Sequence, residues 1–179
     1  MSVSSTKPVL LLVAQDDFQT YEYHNPKRVL EDAGYRVVTA SNIVGTARST
    51  ADEHVPVDRA IADIRVEEYS GIFLIGGPGA MAHLNNDIVH QLMRDTALAN
   101  IPYGAICVSP RILANAGLLV GKHVTGWNKR EDLPEFFADA RAIFVDEPVV
   151  VDGLLVTANG PRAAEDFGKS IVSLLKASQ

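Results

Sequence analysis

The chain has 179 residues, in which 16 Lys and Arg stand against 22 Asp and Glu for a formal net charge of -6. This length favours one domain over residues 1–179, and the 47% hydrophobic, 21% charged composition excludes a disordered chain. The acidic balance argues against nucleic-acid partners, because the field of the protein repels phosphate groups. The single cysteine, Cys107, excludes an intrachain disulfide and is typical of a reducing cytoplasm.

The first apolar segment, residues 8–14, predicts a buried strand rather than a signal or membrane segment. A membrane span needs about 20 apolar residues. The acidic residues Asp16 and Asp17 stand where a secretory cleavage site would need small side chains. We therefore expect a cytoplasmic protein with no membrane partner.

Strand and helix patterns alternate along the chain. The predicted strands are residues 8–14, 35–40, 71–75 and 102–106, and the predicted helices are residues 21–33, 86–99, a segment through 112–116, and 163–176. Residues 41–58 are polar and predict a loop or a short hairpin. Asp152 and Gly153 separate two apolar runs and predict a hairpin. The alternation favours one α/β sandwich, with a mostly parallel sheet between helices.

Cys107 directly follows a predicted strand and precedes a predicted helix. Ligands of open α/β sheets bind beyond the carboxyl ends of the strands. Pro110 suits the first turn of the helix, and Ser109 is a candidate N-cap residue. A thiol near a helix N-terminus is expected to have a lowered pKa. The alternative is that Cys107 is a small buried apolar residue, as most free cysteines are.

Two further strand ends carry candidate site residues. The glycine loop of residues 76–79 can direct backbone N–H groups at an anion, or it can be a turn that needs positive φ. Glu22 lies near the start of the first predicted helix and can project toward the same end of the sheet. The alternative for Glu22 is an ordinary first-turn carboxylate that stabilises the helix dipole.

Five sequence blocks together resemble the DJ-1/PfpI (ThiJ) superfamily. The blocks are EYHNP (residues 22–26), IGGPG (75–79), GAICVSP (104–110), AGLLVGKHVTG (116–126) and VDGLLVTANGP (151–161). They follow the order of the family and extend over nearly the whole chain. The resemblance implies a flavodoxin-like three-layer α/β/α sandwich that forms a homodimer or a higher homo-oligomer.

The resemblance also implies roles for four residues. Cys107 takes the position of the family's nucleophile, and Glu22 that of the acidic residue that contacts the cysteine sulfur. In the family this carboxyl is often protonated and donates a hydrogen bond to the thiolate. Gly77 and Val108 would supply the backbone N–H groups of an oxyanion hole.

Three departures from the family pattern bear on catalysis. The peptidase-like branch has His directly after the cysteine, where this chain has Val108. That branch often has Glu shortly after the double glycine, where this chain continues through Met81. The DJ-1 branch has another His where this chain has Trp127. A cysteine hydrolase needs a base that activates the thiol, so these departures argue against proteolysis.

The remaining candidates are His83 and Trp127, which we expect at a substrate pocket for a small molecule. No set of His, Cys and Asp residues has metal-ligand spacing, and we expect no metal. The glycine loop lacks the P-loop lysine and the dinucleotide pattern, and we expect no cofactor.

Three hypotheses about function follow, in order of preference. The first is a cofactor-independent enzyme in which Cys107 attacks small electrophiles, as in glyoxalase III or deglycase activity, with isocyanide hydration as a chemical variant. The second is a redox sensor or chaperone-like protein of the DJ-1 type. The third is an intracellular cysteine peptidase of the PfpI type, which would need a His from elsewhere.

Overall fold

The computed structural model describes residues 7–178, which form twelve strands and six α-helices. The strands are β1 (Val9–Leu12), β2 (Asp16–Phe18), β3 (Val37–Ser41), β4 (Gly45–Ser49), β5 (His54–Val57), β6 (Arg59–Ala60), β7 (Gly71–Leu74), β8 (Tyr103–Ile106), β9 (His123–Val124), β10 (Ile143–Phe144), β11 (Val149–Asp152) and β12 (Leu155–Ala158). The helices are α1 (Thr20–Asp32), α2 (Ala80–His83), α3 (Asp87–Leu98), α4 (Pro110–Asn115), α5 (Leu133–Asp139) and α6 (Ala164–Ala177).

Seven strands form the central sheet in the order β11-β12-β8-β7-β1-β3-β6. All neighbouring strands are parallel except β11 and β12, which form the hairpin predicted around Asp152 and Gly153. The four residues of β1 are fully buried, as expected for a strand covered on both faces. The mostly parallel α/β sandwich predicted from the sequence is confirmed.

Helices cover both faces of the sheet, and each face has its own apolar cluster. Leu10 of β1 packs in the cluster that contains Phe137 of α5 and residues of α3 and α4. Leu11, the next residue of β1, packs in the cluster that contains Cys107 and Phe167 of α6. Successive side chains of a strand point to opposite faces, so β1 holds the two layers together.

Two small sheets stand outside the central sheet. Strands β4 and β5 pair antiparallel, which confirms a hairpin within residues 41–58, but β2 adds a third strand that the sequence did not predict. With three residues and a left-handed Asp17 (φ 59), β2 is too short to produce a hydrophobic pattern. Strands β9 and β10 form a parallel pair of only two residues each. Among residues 7–178, no helix combines the length and the apolarity needed to cross a membrane.

Candidate active site

Cys107 lies one residue beyond the carboxyl end of β8, in a backbone conformation that residues other than glycine rarely adopt (φ 66). Hydrogen bonds hold this conformation on both sides of the residue. The backbone N–H of Cys107 donates to the carbonyl of Ala158 at 2.9 Å, and the carbonyl of Cys107 accepts from the backbone N–H of Trp127 at 2.7 Å. Such backbone strain persists where the surrounding structure fixes it, and it is common at catalytic residues.

The turn after Cys107 differs from the sequence prediction at Ser109. The predicted helix begins at Pro110 as expected, but the Ser109 hydroxyl does not cap it. Instead the hydroxyl donates to the carbonyl of Ile75 at 2.8 Å. The pairing of β7 with β8 ends at Leu74. The carbonyl of Ile75, the next residue, therefore lies beyond the paired strands and accepts from Ser109 instead. The hydroxyl therefore ties the cysteine turn to the glycine loop.

The glycine loop is packed too tightly for side chains at its first two positions. A Cβ atom at Gly76 would contact the Oε2 atom of Glu22 and would lie 2.5 Å from the Cβ atom of Cys107. Gly77 has φ 121, and a Cβ atom there would lie 2.5 Å from the backbone nitrogen of Gln19. The two glycines thus allow α1 and the cysteine turn to approach each other.

Glu22 lies in the first turn of α1, and its side chain is fully buried. Gln19 caps the helix by accepting a hydrogen bond from the backbone N–H of Glu22 at 2.9 Å. Neither carboxyl oxygen of Glu22 has a hydrogen bond of good geometry with the described residues. Burial raises the pKa of Glu22 to about 7, although the nearby Cys107 thiol and the Gly76 backbone N–H act to lower it. Glu22 is therefore no ordinary first-turn carboxylate.

The pKa of the Cys107 thiol is raised, whereas its position before a helix predicted a lowered value. Burial is the largest cause, and the negative charge of Glu22 is the second. The backbone N–H groups of Gly77 and Val108 act in the opposite direction. The following helix, α4, has only six residues, and its dipole does not offset burial beside a carboxylate. Cys107 and Glu22 therefore titrate as one coupled pair.

A cavity of about 650 Å³ opens above this pair. It is lined by Gln19, Glu22, Gly77, Pro78, Met81, Cys107, Val108, Arg111, Trp127, Arg130, Asp132 and Pro161. The structure thus brings together Cys107, Glu22, Gly77, Val108 and Trp127, five of the six residues singled out in the sequence.

His83 is the sixth of these residues, and it lies outside this cavity. It ends α2, and its backbone carbonyl accepts hydrogen bonds from the side chains of Asn42 and Asn86. The other histidines lie elsewhere too: His24 contacts Glu53, His90 contacts Asn85, His123 contacts Asp152, and His54 is exposed on β5. None of these five histidines lines the cavity.

Sequence reasoning missed the charged residues of the cavity wall. Arg111 of α4 pairs with Asp132 at 2.7 Å, and its guanidinium lies 4.6 Å from the centre of the Phe136 ring. Arg130 lies in the segment that leads to α5. No pattern in the sequence predicted this helix. Arg130 and Asp132 belong to a polar segment without periodicity, so no signal indicated their proximity to Cys107. Arg111 lies in α4, four positions after Cys107, and this closeness in the sequence was the signal that could have found it.

Comparisons with known proteins agree with one another over nearly the whole chain. A model of the DJ-1/PfpI family matches residues 7–174. An uncharacterised protein of Methanocaldococcus jannaschii is 33% identical over 169 residues, which cover 94% of this chain and 82% of that protein. An uncharacterised protein of Staphylococcus aureus is 34% identical over 179 residues, covering 96% of this chain and 99% of that protein.

Solved structures show the same relationship. A ThiJ/PfpI domain protein from Brachyspira murdochii superposes with a TM-score of 0.88 at 28% identity, covering 97% of this chain and 99% of that chain. DJ-1beta of Drosophila melanogaster superposes with a TM-score of 0.84 at 25% identity, covering 96% of this chain and 95% of that chain. The family match, the relatives and the shared fold lead to one conclusion: this chain belongs to the DJ-1/PfpI family.

Proposed function

We propose that this protein is a cofactor-independent enzyme in which Cys107 attacks small electrophilic carbonyl compounds, with a glyoxalase III or deglycase type of reaction. The observation that carries the proposal is Glu22, a fully buried carboxyl without a good hydrogen-bond partner in the described chain, beside a buried thiol. Burying such a group is costly. A pKa of about 7 suits a group that takes up and releases a proton near neutral pH.

The first step is addition of the thiol to an aldehyde. Glu22 takes the proton of Cys107 as the sulfur forms a bond to the aldehyde carbon and the carbonyl electron pair moves to oxygen. The backbone N–H groups of Gly77 and Val108 already lie close enough to the sulfur to favour its anion. The same groups stabilise the neighbouring oxyanion, and Glu22 returns its proton to that oxygen to give a hemithioacetal.

The second step is rearrangement of the hemithioacetal formed from a 2-oxoaldehyde such as methylglyoxal. Glu22 takes the proton from the carbon bonded to sulfur and delivers it to the ketone oxygen, which gives an enediol. It then takes the proton of the hydroxyl on the sulfur-bonded carbon and delivers a proton to the adjacent carbon. The product is a thioester of Cys107, which water hydrolyses to lactate and the free thiol. Methylglyoxal and one water molecule give lactate, so no external oxidant, reductant or glutathione is required.

The other two hypotheses have less support from the site. Peptide hydrolysis needs a group that protonates the leaving amine, and no described histidine lines the cavity. Redox-sensing cysteines are thiols of low pKa that are accessible to solvent. Burial and Glu22 raise the pKa of Cys107, and only 8% of the residue is exposed, which disfavours its spontaneous oxidation. The same raised pKa means that attack on a carbonyl requires Glu22 to take the thiol proton as the bond forms. Isocyanide hydration remains a chemical variant, since it also begins with attack by the thiolate.

The test is the conversion of methylglyoxal to lactate by the purified protein without glutathione. We expect turnover by the wild type and loss of activity in Cys107→Ser, because a hydroxyl is a much weaker nucleophile at neutral pH. Glu22→Gln should retain the thiol but lose the rearrangement step. Circular dichroism of both variants shows whether the fold is kept. Absence of turnover by the wild type with methylglyoxal and with glycated thiols would overturn the proposal.

A further inference from the structure

The wall of the Cys107 cavity carries two arginines in different electrostatic situations. Arg111 is neutralised by Asp132 at 2.7 Å, and its side chain is only 17% exposed. The ring of Phe136 lies under its guanidinium at 4.6 Å. Arg111 is therefore held in place by partners of the protein itself, and its hydrogen-bonding capacity toward a ligand is partly used.

Arg130 has no such partners. It is exposed and lines the same cavity, and it forms no hydrogen bond or ion pair with any residue between 7 and 178. The whole chain carries a net charge of -6, so an unpaired guanidinium on the wall of this cavity is opposite in sign to the net charge of the protein. Such a group attracts anions and binds a carboxylate in a bidentate manner.

Cys107 and Glu22 line the same cavity and have the opposite preference. When Glu22 is ionised and able to take the thiol proton, the pair carries one negative charge, both before and after the thiol adds to a carbonyl. An anionic group of a substrate is repelled by this pair and attracted to Arg130. A carbonyl compound with a carboxylate at its other end therefore fits the cavity in one orientation only, with the electrophilic carbon at the sulfur.

The size and lining of the cavity agree with a substrate of this kind. Its volume of about 650 Å³ far exceeds that of a three-carbon aldehyde. The lining also includes the apolar side chains of Pro78, Met81 and Trp127. Pockets of this type hold an apolar ligand body and use few polar groups to orient it.

We propose that Arg130 is a substrate-binding residue, and that the substrates are aldehydes or 2-oxoaldehydes carrying a carboxylate distal to the electrophilic carbon. This inference rests on the proposed function, because it assigns the substrate class of the same site. It concerns binding rather than the chemical step, so it can be tested without turnover.

The experiment compares two alkylating reagents that differ only in a distal carboxylate, N-(4-carboxyphenyl)iodoacetamide and N-phenyliodoacetamide. With each, the Cys107 thiolate forms a bond to the methylene carbon and iodide leaves. Mass spectrometry measures the rate of labelling at Cys107, and glutathione gives the intrinsic ratio of the two reagents. We expect the wild type to favour the anionic reagent over this intrinsic ratio by about threefold, the effect of an exposed ion pair.

The matched variants are Arg130→Gln and Lys129→Gln. Both remove one positive charge from neighbouring exposed positions, but Lys129 does not line the cavity. We expect the preference to disappear in R130Q, to persist in K129Q, and to be partly kept in Arg130→Lys. The competitors 4-oxobutanoate and butanal extend the test to aldehydes: 4-oxobutanoate should protect Cys107 at about threefold lower concentration, and only while Arg130 is present.

The outcomes separate this inference from the proposed function. If R130Q and the wild type have the same preference, or if K129Q loses it equally, the role of Arg130 is overturned while Cys107 remains the nucleophile. If neither reagent labels Cys107, both proposals fail. If the preference for the anionic reagent depends on Arg130 but methylglyoxal is not converted, the anion site stands and the proposed reaction does not.

Discussion

At the scale of single residues, the site depends on a carboxyl group that the fold buries at a cost. Glu22 is fully buried, and burial raises its pKa from 4.5 to about 7. A rise of this size corresponds to about 3 kcal/mol of destabilisation when the group is ionised. A residue that weakens the fold but suits proton transfer is the pattern expected at a functional site.

Glu22→Gln should therefore stabilise the protein at high pH. The folded state holds the Glu22 proton more tightly than the unfolded state, so wild-type stability falls as the pH rises from about 4.5 to 7. Gln cannot titrate. At pH 8 we therefore expect the free energy of unfolding of E22Q, measured by urea titration, to exceed that of the wild type by on the order of 3 kcal/mol. The two proteins should be equally stable near pH 4.

Glu31→Gln is the control for this prediction. Glu31 lies on the same helix and pairs with Lys27 on the surface, so its removal changes the net charge equally without relieving burial. We expect a small loss of stability from E31Q, of about 0.3 kcal/mol. Equal gains from E22Q at pH 4 and pH 8 would contradict the ionisation argument.

The sequence was sufficient to find Cys107 and Glu22, because each stands in a short block at a strand or helix end. It was not sufficient to give the pKa of the thiol. The lowered value expected from the following helix is reversed by burial and by the carboxyl of Glu22, and both effects come from tertiary packing. Arg130 could not be found, because its segment has no pattern that relates it to the cysteine.

At the scale of elements, the position of Cys107 depends on the close approach of β8 and β12. Gly104 of β8 faces Val156 of β12 in the parallel register. A Cβ atom at Gly104 would contact the backbone oxygen of Val156 and lie 2.9 Å from its Cγ1 atom. Cys107 follows three residues later and donates to the carbonyl of Ala158 in the same strand. A shift between these strands is thus transmitted to the nucleophile.

Gly104→Ala should destabilise the protein and slow the alkylation of Cys107. The added methyl group meets backbone atoms that cannot rotate away, and overpacking of this kind costs about 2 kcal/mol. Urea unfolding measures the stability, and iodoacetamide labelling measures the thiol. Gly121→Ala is the control, because its added methyl group meets open space. Only the left-handed backbone conformation lowers the stability of G121A, by about 1 kcal/mol, and we expect the rate of Cys107 labelling to stay the same as in the wild type. Unchanged labelling in G104A would show that the strand contact does not position the cysteine.

The strands and helices of the sandwich were predictable where their hydrophobic patterns are long or clear. The segment predicted at residues 102–106 is β8 (Tyr103–Ile106), and the helix predicted at 86–99 is α3 (Asp87–Leu98). The pair β9 and β10 and the strand β2 could not be predicted. Strands of two or three residues have no measurable alternation and exist only because their neighbours hold them in place.

At the scale of the whole molecule, the central sheet connects two apolar clusters that otherwise belong to different layers. Cys107 packs in the cluster that contains Phe167, whereas Phe137 packs in the cluster on the other face. Both clusters use fully buried residues of β1, Leu10 on one side and Leu11 on the other. Neither cluster can lose its packing without exposing β1. We therefore expect the two layers to unfold together, as one cooperative unit.

Phe137→Leu tests this expectation from the face opposite the site. The loss of buried contacts should lower the free energy of unfolding by about 1 kcal/mol. Three probes should shift by the same amount in urea: far-UV circular dichroism, the fluorescence of Trp127, which is the single tryptophan, and the exposure of the Cys107 thiol. Phe167→Leu is the matched change on the site face and should give the same coincidence. If F137L shifts circular dichroism but leaves Trp127 and Cys107 unchanged, the layers unfold separately, and the expectation of one domain is wrong.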